Sequence, residues 1–148
     1  MMEATQSTYL VAIAGLLIIG LLMIFQLIAL LKPDSEWVKK SVYGGSFENS
    51  DPKACFAFYR GFALADVFTW GPLQVIGSIG MLMGEHWGFL IALVGSVPFW
   101  YSSIPFFIWD REMGFRKKGF NYWFFTWGMF PLFGVVETLY CLVRLLNL

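Results

Sequence analysis

The chain has 148 residues, 58% hydrophobic and 20% aromatic but only 14% charged, more apolar surface than one soluble core of this length uses. Ten basic and ten acidic residues cancel, which excludes the electrostatic footprint of a nucleic-acid binder. One histidine and two cysteines, with no CxxC, give zinc or redox chemistry no frame, so neither metal nor cofactor is expected.

Four apolar segments follow in order, each long enough to cross roughly 30 Å of hydrocarbon at about 1.5 Å per residue. The first, Tyr9–Leu31, lacks a basic leading region and a small-residue cleavage site, so it reads as an uncleaved anchor. A polar stretch, Lys32–Arg60, leads to the second segment, Gly61–Met83, which holds Asp66 and Pro72. Gly84-Glu85-His86 reads as a tight, solvated hairpin that makes the second and third segments antiparallel neighbours. Trp87 and Trp109 bracket the third segment about 33 Å apart, as interfacial aromatics do. Trp37 and Trp123 read as anchors of the same kind. Asp110–Asn121, with Asp110-Arg111-Glu112 and Arg116-Lys117-Lys118, reads as an ordinary charged loop. The fourth segment is Tyr122–Val143, with Pro131 and Glu137.

Pro72, Pro98, Pro105 and Pro131 each remove a backbone donor and crowd the preceding turn, so kinked helices in a splayed bundle are expected. The fold class is all-α: a polytopic four-transmembrane-helix bundle, residues 1–148, in a single domain. Cys55 and Cys141 fall near opposite faces and should not pair. Lys32, Lys39, Lys40, Lys53 and Arg60 lie on the first connection, and Arg111, Arg116, Lys117 and Lys118 on the third. Only Arg144 lies toward the other face, so both longer connections are expected in the cytoplasm and both termini outside.

Asp66 and Glu137 stand out because an Asp at the centre of a spanning helix costs roughly 2.5–3.5 kcal/mol on insertion scales. Helical rise puts Gln26, Asp66, Ser102, Ser103 and Thr126 at one level, near the charged connections. Glu137 sits higher, near Gln74 and Ser96, too far from Asp66 to share a proton. Asp66, Trp70, Gln74 and Gly77 form one helical stripe. Gly77, Gly80 and Gly84, with Gly88, Ala92 and Gly95 across the hairpin, allow close helix approach at one end. The expected picture is a tight hairpin half and a wider half lined by Asp66, Trp70, Trp100, Ser103 and Trp127. A plainer reading stands beside it: Asp66 bonded to Gln26 or a serine, Glu137 paired with Arg144, and the tryptophans as filler.

The run Gly61-Phe62-Ala63-Leu64-Ala65-Asp66, followed by Pro72, resembles the second helix of the EXPERA superfamily, which includes the emopamil-binding sterol isomerase and the sigma-2 receptor. Tyr43-x3-Phe47 leading to Asp51-Pro52 is similar to a first-loop element of the sigma-2 branch, with a two-residue insertion. Trp87 and Ser102-Ser103-Ile104-Pro105 also fit. The resemblance implies binding of a sterol-like molecule, with Asp66 as the helix-two acid and Asp51 as a weaker match. Departures are plain. Phe62 stands where the isomerase pattern has histidine, Gln26 where the sigma-2 pattern has aspartate, and the helix-three acid has no counterpart between Trp87 and Trp109. The family also places its first loop in the lumen, opposite to the charge count.

The leading expectation is an intramembrane pocket for a sterol-like or other lipophilic ligand. Asp66 is its anchor and its candidate catalytic acid for a double-bond isomerisation. Gln26, Trp70, Gln74, Trp100, Ser103, Trp127 and Glu137 complete the candidate ligand-binding set. The alternatives are a non-enzymatic accessory subunit that docks another membrane protein through Glu137 and the glycine faces, and a proton-coupled carrier working as a homodimer through Asp66 and Glu137.

Overall fold

The computed structural model describes residues 3–42, 52–113 and 119–146, and among them every regular element is helical. The order is α1 (Gln6–Leu31), α2 (Glu36–Ser41), α3 (Pro52–Ala65), a π-helical turn (Asp66–Trp70), α4 (Gly71–Leu82), α5 (His86–Tyr101), α6 (Ser103–Met113), α7 (Phe120–Tyr122), a second π-helical stretch (Trp123–Met129) and α8 (Phe130–Leu145). These join into four helices long and apolar enough to cross a membrane: Gln6–Leu31, Lys53–Leu82, His86–Glu112 and Phe120–Leu145. That is the composition of a multi-pass membrane protein. Tyr43, Phe47, Asp51 and the Arg116-Lys117-Lys118 run lie outside the described residues.

Two boundaries differ from the expectation. The second helix begins at α3, well before Gly61, and the third continues past Trp109 to Met113. Hydropathy marks only the stretch that fits hydrocarbon, whereas a backbone already hydrogen-bonded as a helix has no reason to stop where polarity rises. Asp110 therefore belongs to a helix rather than to a loop.

Local chemistry accounts for the ends. Thr5 caps α1: its hydroxyl accepts from the Thr8 amide at 3.3 Å, and Thr8 Oγ1 accepts from the Thr5 amide at 3.1 Å. Thr8 Oγ1 also shares a 2.6 Å hydrogen bond with the Tyr140 hydroxyl, which fixes the start of α1 against α8. At the hairpin, Gly84 takes φ 69°. Its amide donates to Met81 O and the Glu85 amide to Gly80 O, both at 3.0 Å. This is the pairing that closes a helix through a left-handed residue, which glycine adopts without strain.

Close approach then builds the hairpin end. A Cβ on Gly80 would lie 2.5 Å from Gly88 Cα, and one on Gly77 2.6 Å from the Ala92 amide nitrogen, so α4 and α5 meet backbone to backbone. On the other side of α5, a Cβ on Gly134 would lie 2.6 Å from Phe99 Cβ, which seats α8. Ala12, Met81, Phe89, Ala92 and Cys141 form the core there, and Ile19, Leu22 and Phe99 the middle. Near the long connections, Ala29, Val38 and Tyr59 bring α1, α2 and α3 together. Cys55 and Cys141 are both buried and not disulfide-bonded.

At two prolines the backbone widens. The Gly71 amide reaches back five residues to Asp66 O, immediately before Pro72, and the Phe130 amide reaches Phe125 O, immediately before Pro131. Pro98 lies inside α5, and Ser102 interrupts the helix ahead of Pro105. A proline cannot donate to the carbonyl four residues back, and a π turn re-pairs part of the ladder around the gap.

Gly88→Ala is expected to destabilise the fold by about 1–3 kcal/mol through overpacking against the Gly80–Met81 backbone. Gly20→Ala should leave it unchanged, since nothing stands within 4 Å of the added methyl. Thermal unfolding midpoints in detergent check this, and equal midpoints for the two variants would contradict the contact.

Candidate functional site

Where the small residues give out, the helices enclose a cavity of about 420 Å³. Its walls come from all four long helices and from α2. The level expected to carry polar groups does so here: Gln26, Asp66, Ser102 and Thr126 all line it, each from a different helix. Phe25, Phe62, Phe99, Phe106, Phe125 and Phe130 supply much of the apolar wall. Trp37, expected as an interfacial anchor, is half-exposed and packs edge-on against Phe25 at 5.6 Å on one side of the cavity. Thr69 and Tyr101 line the cavity while remaining exposed, so they stand at its rim.

Asp66 is half-buried and opens the π turn. Gln26 Nε2 of α1 donates to its Oδ2 at 2.8 Å. Of the two partners expected, the amide rather than a serine is used. An amide satisfies one carboxyl oxygen without neutralising the group. Trp70, four residues on, lines the same cavity.

The rest of the expected set lies elsewhere. Gln74 and Glu137 are fully buried and bonded to each other in the hairpin half, Nε2 to Oε1 at 2.7 Å. Depth arithmetic placed them at one level; it could not show that they touch. The expected Glu137–Arg144 pair does not form. Arg144 donates to Thr5 Oγ1 at 3.2 Å and to the Glu3 carbonyl, with its guanidinium 5.5 Å from the Phe89 ring centre. Trp100 is not a cavity wall: its Nε1 donates to Thr138 Oγ1 at 3.3 Å, and Thr138 shares a 2.7 Å hydrogen bond with Ser96. Ser103 also lies outside the lining, with its buried hydroxyl unpartnered among the described residues; Ser102 takes the place expected for it.

Trp127 turns away from the cavity toward the residue that sequence reasoning misplaced. Asp110, expected to be solvated, is fully buried. The Tyr122 hydroxyl lies 3.0 Å from both of its carboxylate oxygens, and Trp127 Nε1 donates to Oδ2 at 3.0 Å. Tyr59 is a further hydrogen-bond neighbour of the same phenol, and both tyrosines line the cavity. A signal was available: an acid directly after Trp109, with Tyr and Trp donors waiting early on the next helix. The neighbouring Arg111 and Glu112, which pair with each other at 3.1 Å in solvent, disguised it.

The cavity thus has one acidic group in its wall, Asp66, held by one amide donor; Asp110 lies outside the lining, behind Tyr122. Such a site can accept a hydrogen bond from a ligand at Asp66 while its aromatic faces cover an apolar body. Comparison with protein-family models, with curated proteins and with solved structures finds no match for the chain.

Tyr122→Phe is expected to cost about 1–3 kcal/mol by leaving a buried carboxylate short of a donor. In a double-mutant cycle with Asp110→Asn the losses should be strongly non-additive. Additive losses in detergent unfolding would contradict the pairing.

Proposed function

We propose that this chain holds a sterol-like or other lipophilic molecule in the cavity, with the Asp66 carboxyl as its polar anchor. The observation that carries the reading is a carboxyl half-buried in the wall of an aromatic-lined space of about 420 Å³, held from one side by Gln26. A purely structural acid would be sealed by its partners; this one keeps a face on empty volume. Part of the rim, at Thr69 and Tyr101, lies midway along two long helices, which suits entry from the bilayer, and part, at Trp37 and Asn121, lies by the long connections. The sterol class follows from the EXPERA resemblance around Asp66.

An isomerase would instead place the substrate's alkene, rather than its polar group, against Asp66. A carboxyl that gives a proton to one alkene carbon and takes one from the allylic position shifts the bond with no net proton change. Orientation is part of the proposal: the excess of Lys and Arg on the long connections sets them in the cytoplasm and both termini outside. The helix irregularities before Pro72 and Pro131, with the kinks expected of those prolines, serve this reading by holding the cavity half apart.

The accessory-subunit reading loses its motive, because Glu137, the glycine faces and Arg144 are all engaged within the chain. The carrier reading weakens likewise, since Asp66 and Glu137 belong to separate networks.

Equilibrium binding of a radiolabelled hydroxysterol to the detergent-purified protein tests the proposal. Asp66→Asn should weaken binding by about tenfold or more, the worth of a hydrogen bond to a charged group. Glu85→Gln, in the hairpin turn outside the cavity, should leave it unchanged. Equal binding in wild type and Asp66→Asn would remove the anchor role.

A further inference from the structure

A second observation lies in the hairpin half, apart from the cavity. Gln74 and Glu137 are 63 positions apart in the chain and have no exposed surface, yet among the described residues each keeps one polar atom without a partner: Gln74 Oε1 and Glu137 Oε2. Both atoms are acceptors when Glu137 is ionised. Their sister atoms are already joined, with Gln74 Nε2 donating to Glu137 Oε1 at 2.7 Å and approaching Ser78 Oγ at 3.4 Å. Among the described residues no cation pairs with the carboxyl, since Arg144 is turned to Thr5, Glu3 and Phe89. The titratable neighbour is the Cys141 thiol one turn along, whose sulfur faces Met81. From α1 the pair meets Gly15, and from α5 Gly95, which bring backbone and no charge.

An ionised Glu137 would therefore be a buried charge with two acceptors unpaired by the described residues, a costly arrangement. One proton removes all three faults. On Glu137 Oε2 it neutralises the charge, makes that oxygen a donor, and supplies Gln74 Oε1 with what it lacks.

We propose that Glu137 is a proton-binding site: its carboxyl takes up one proton as the bundle closes and donates it to Gln74 Oε1. The result is a two-bond acid–amide ring between α8 and α4, packed against the glycines of α1 and α5. No other bond is made or broken; a carboxylate and a proton become a carboxylic acid. Gly15 and Gly95 are what admit the ring. A Cβ at Gly95 would fall 2.6 Å from Gln74 Oε1, and one at Gly15 3.0 Å from Nε2. The proton leaves only when the helices part, so the group acts as a neutral clasp in the hairpin half, next to the cavity. The inference does not depend on what the cavity binds.

Infrared spectroscopy of the purified full-length protein at neutral pH tests it directly. Wild type should show a carboxylic C=O band above the amide I envelope that moves when glutamate carboxyls carry heavy carbon, and that moves down in D2O only after the protein has been unfolded and refolded there. Glu137→Gln should lose the band and Asp66→Asn should keep it. Gln74→Leu, which removes the acceptor, should shift it upward. A wild-type spectrum without a glutamate-dependent band overturns the proposal, as does a band that survives in Glu137→Gln. Should Glu137→Gln fail to fold, the isotope shift in wild type decides alone: a band that moves supports the site, and one that does not move refutes it.

Discussion

A carboxyl carried into an apolar bundle has no water to satisfy it, so its donor must come from another part of the bundle. This one requirement organises the molecule. Gln26 meets it for Asp66 and ties α1 to the π turn. Gln74 meets it for Glu137 and ties α4 to α8. Tyr122 and Trp127 meet it for Asp110 and tie α6 to the start of the last long helix. Apolar contacts between helices discriminate poorly in lipid, where the competing surface is equally apolar, so directional bonds of this kind do much to set the register.

Glycine divides the space that remains. At the hairpin end Gly77, Gly80 and Gly88 let backbones touch, and Gly134 seats the fourth helix on Phe99. Toward the long connections that pattern thins: among the described residues Gly20 and Gly61 face nothing within 4 Å, and Gly71 meets the Met23 side chain rather than a facing backbone. There large aromatic side chains and two π-helical stretches hold the helices apart, and the cavity is what they leave. The tight half fixes the geometry on which the open half depends. Asp66 stands where the open half is polar, with Gln26, Ser102 and Thr126.

Much of this was legible in the sequence because a membrane-sized helix announces itself by length and hydropathy. The four helices, the hairpin at Gly84, the glycine contacts and the shared level of Gln26, Asp66, Ser102 and Thr126 all follow from period and rise. Contacts that depend on rotation about a helix axis were not legible. Rise alone cannot say that Trp100 turns to Thr138 and Trp127 to Asp110 while Trp70 faces the cavity. Nor could composition show that Asp110, set among exposed charges, is buried; that needs the return helix with its Tyr and Trp in place.

The central claim is that the space beside Asp66 is a binding site. Mass spectrometry of small molecules extracted from gently purified protein measures it most directly, with wild type and Asp66→Asn handled in parallel. The account predicts a lipophile at near-stoichiometric yield in wild type and its loss in the variant. The same mixed lipids at the same yield from both would contradict it and leave Asp66 as a structural partner of Gln26.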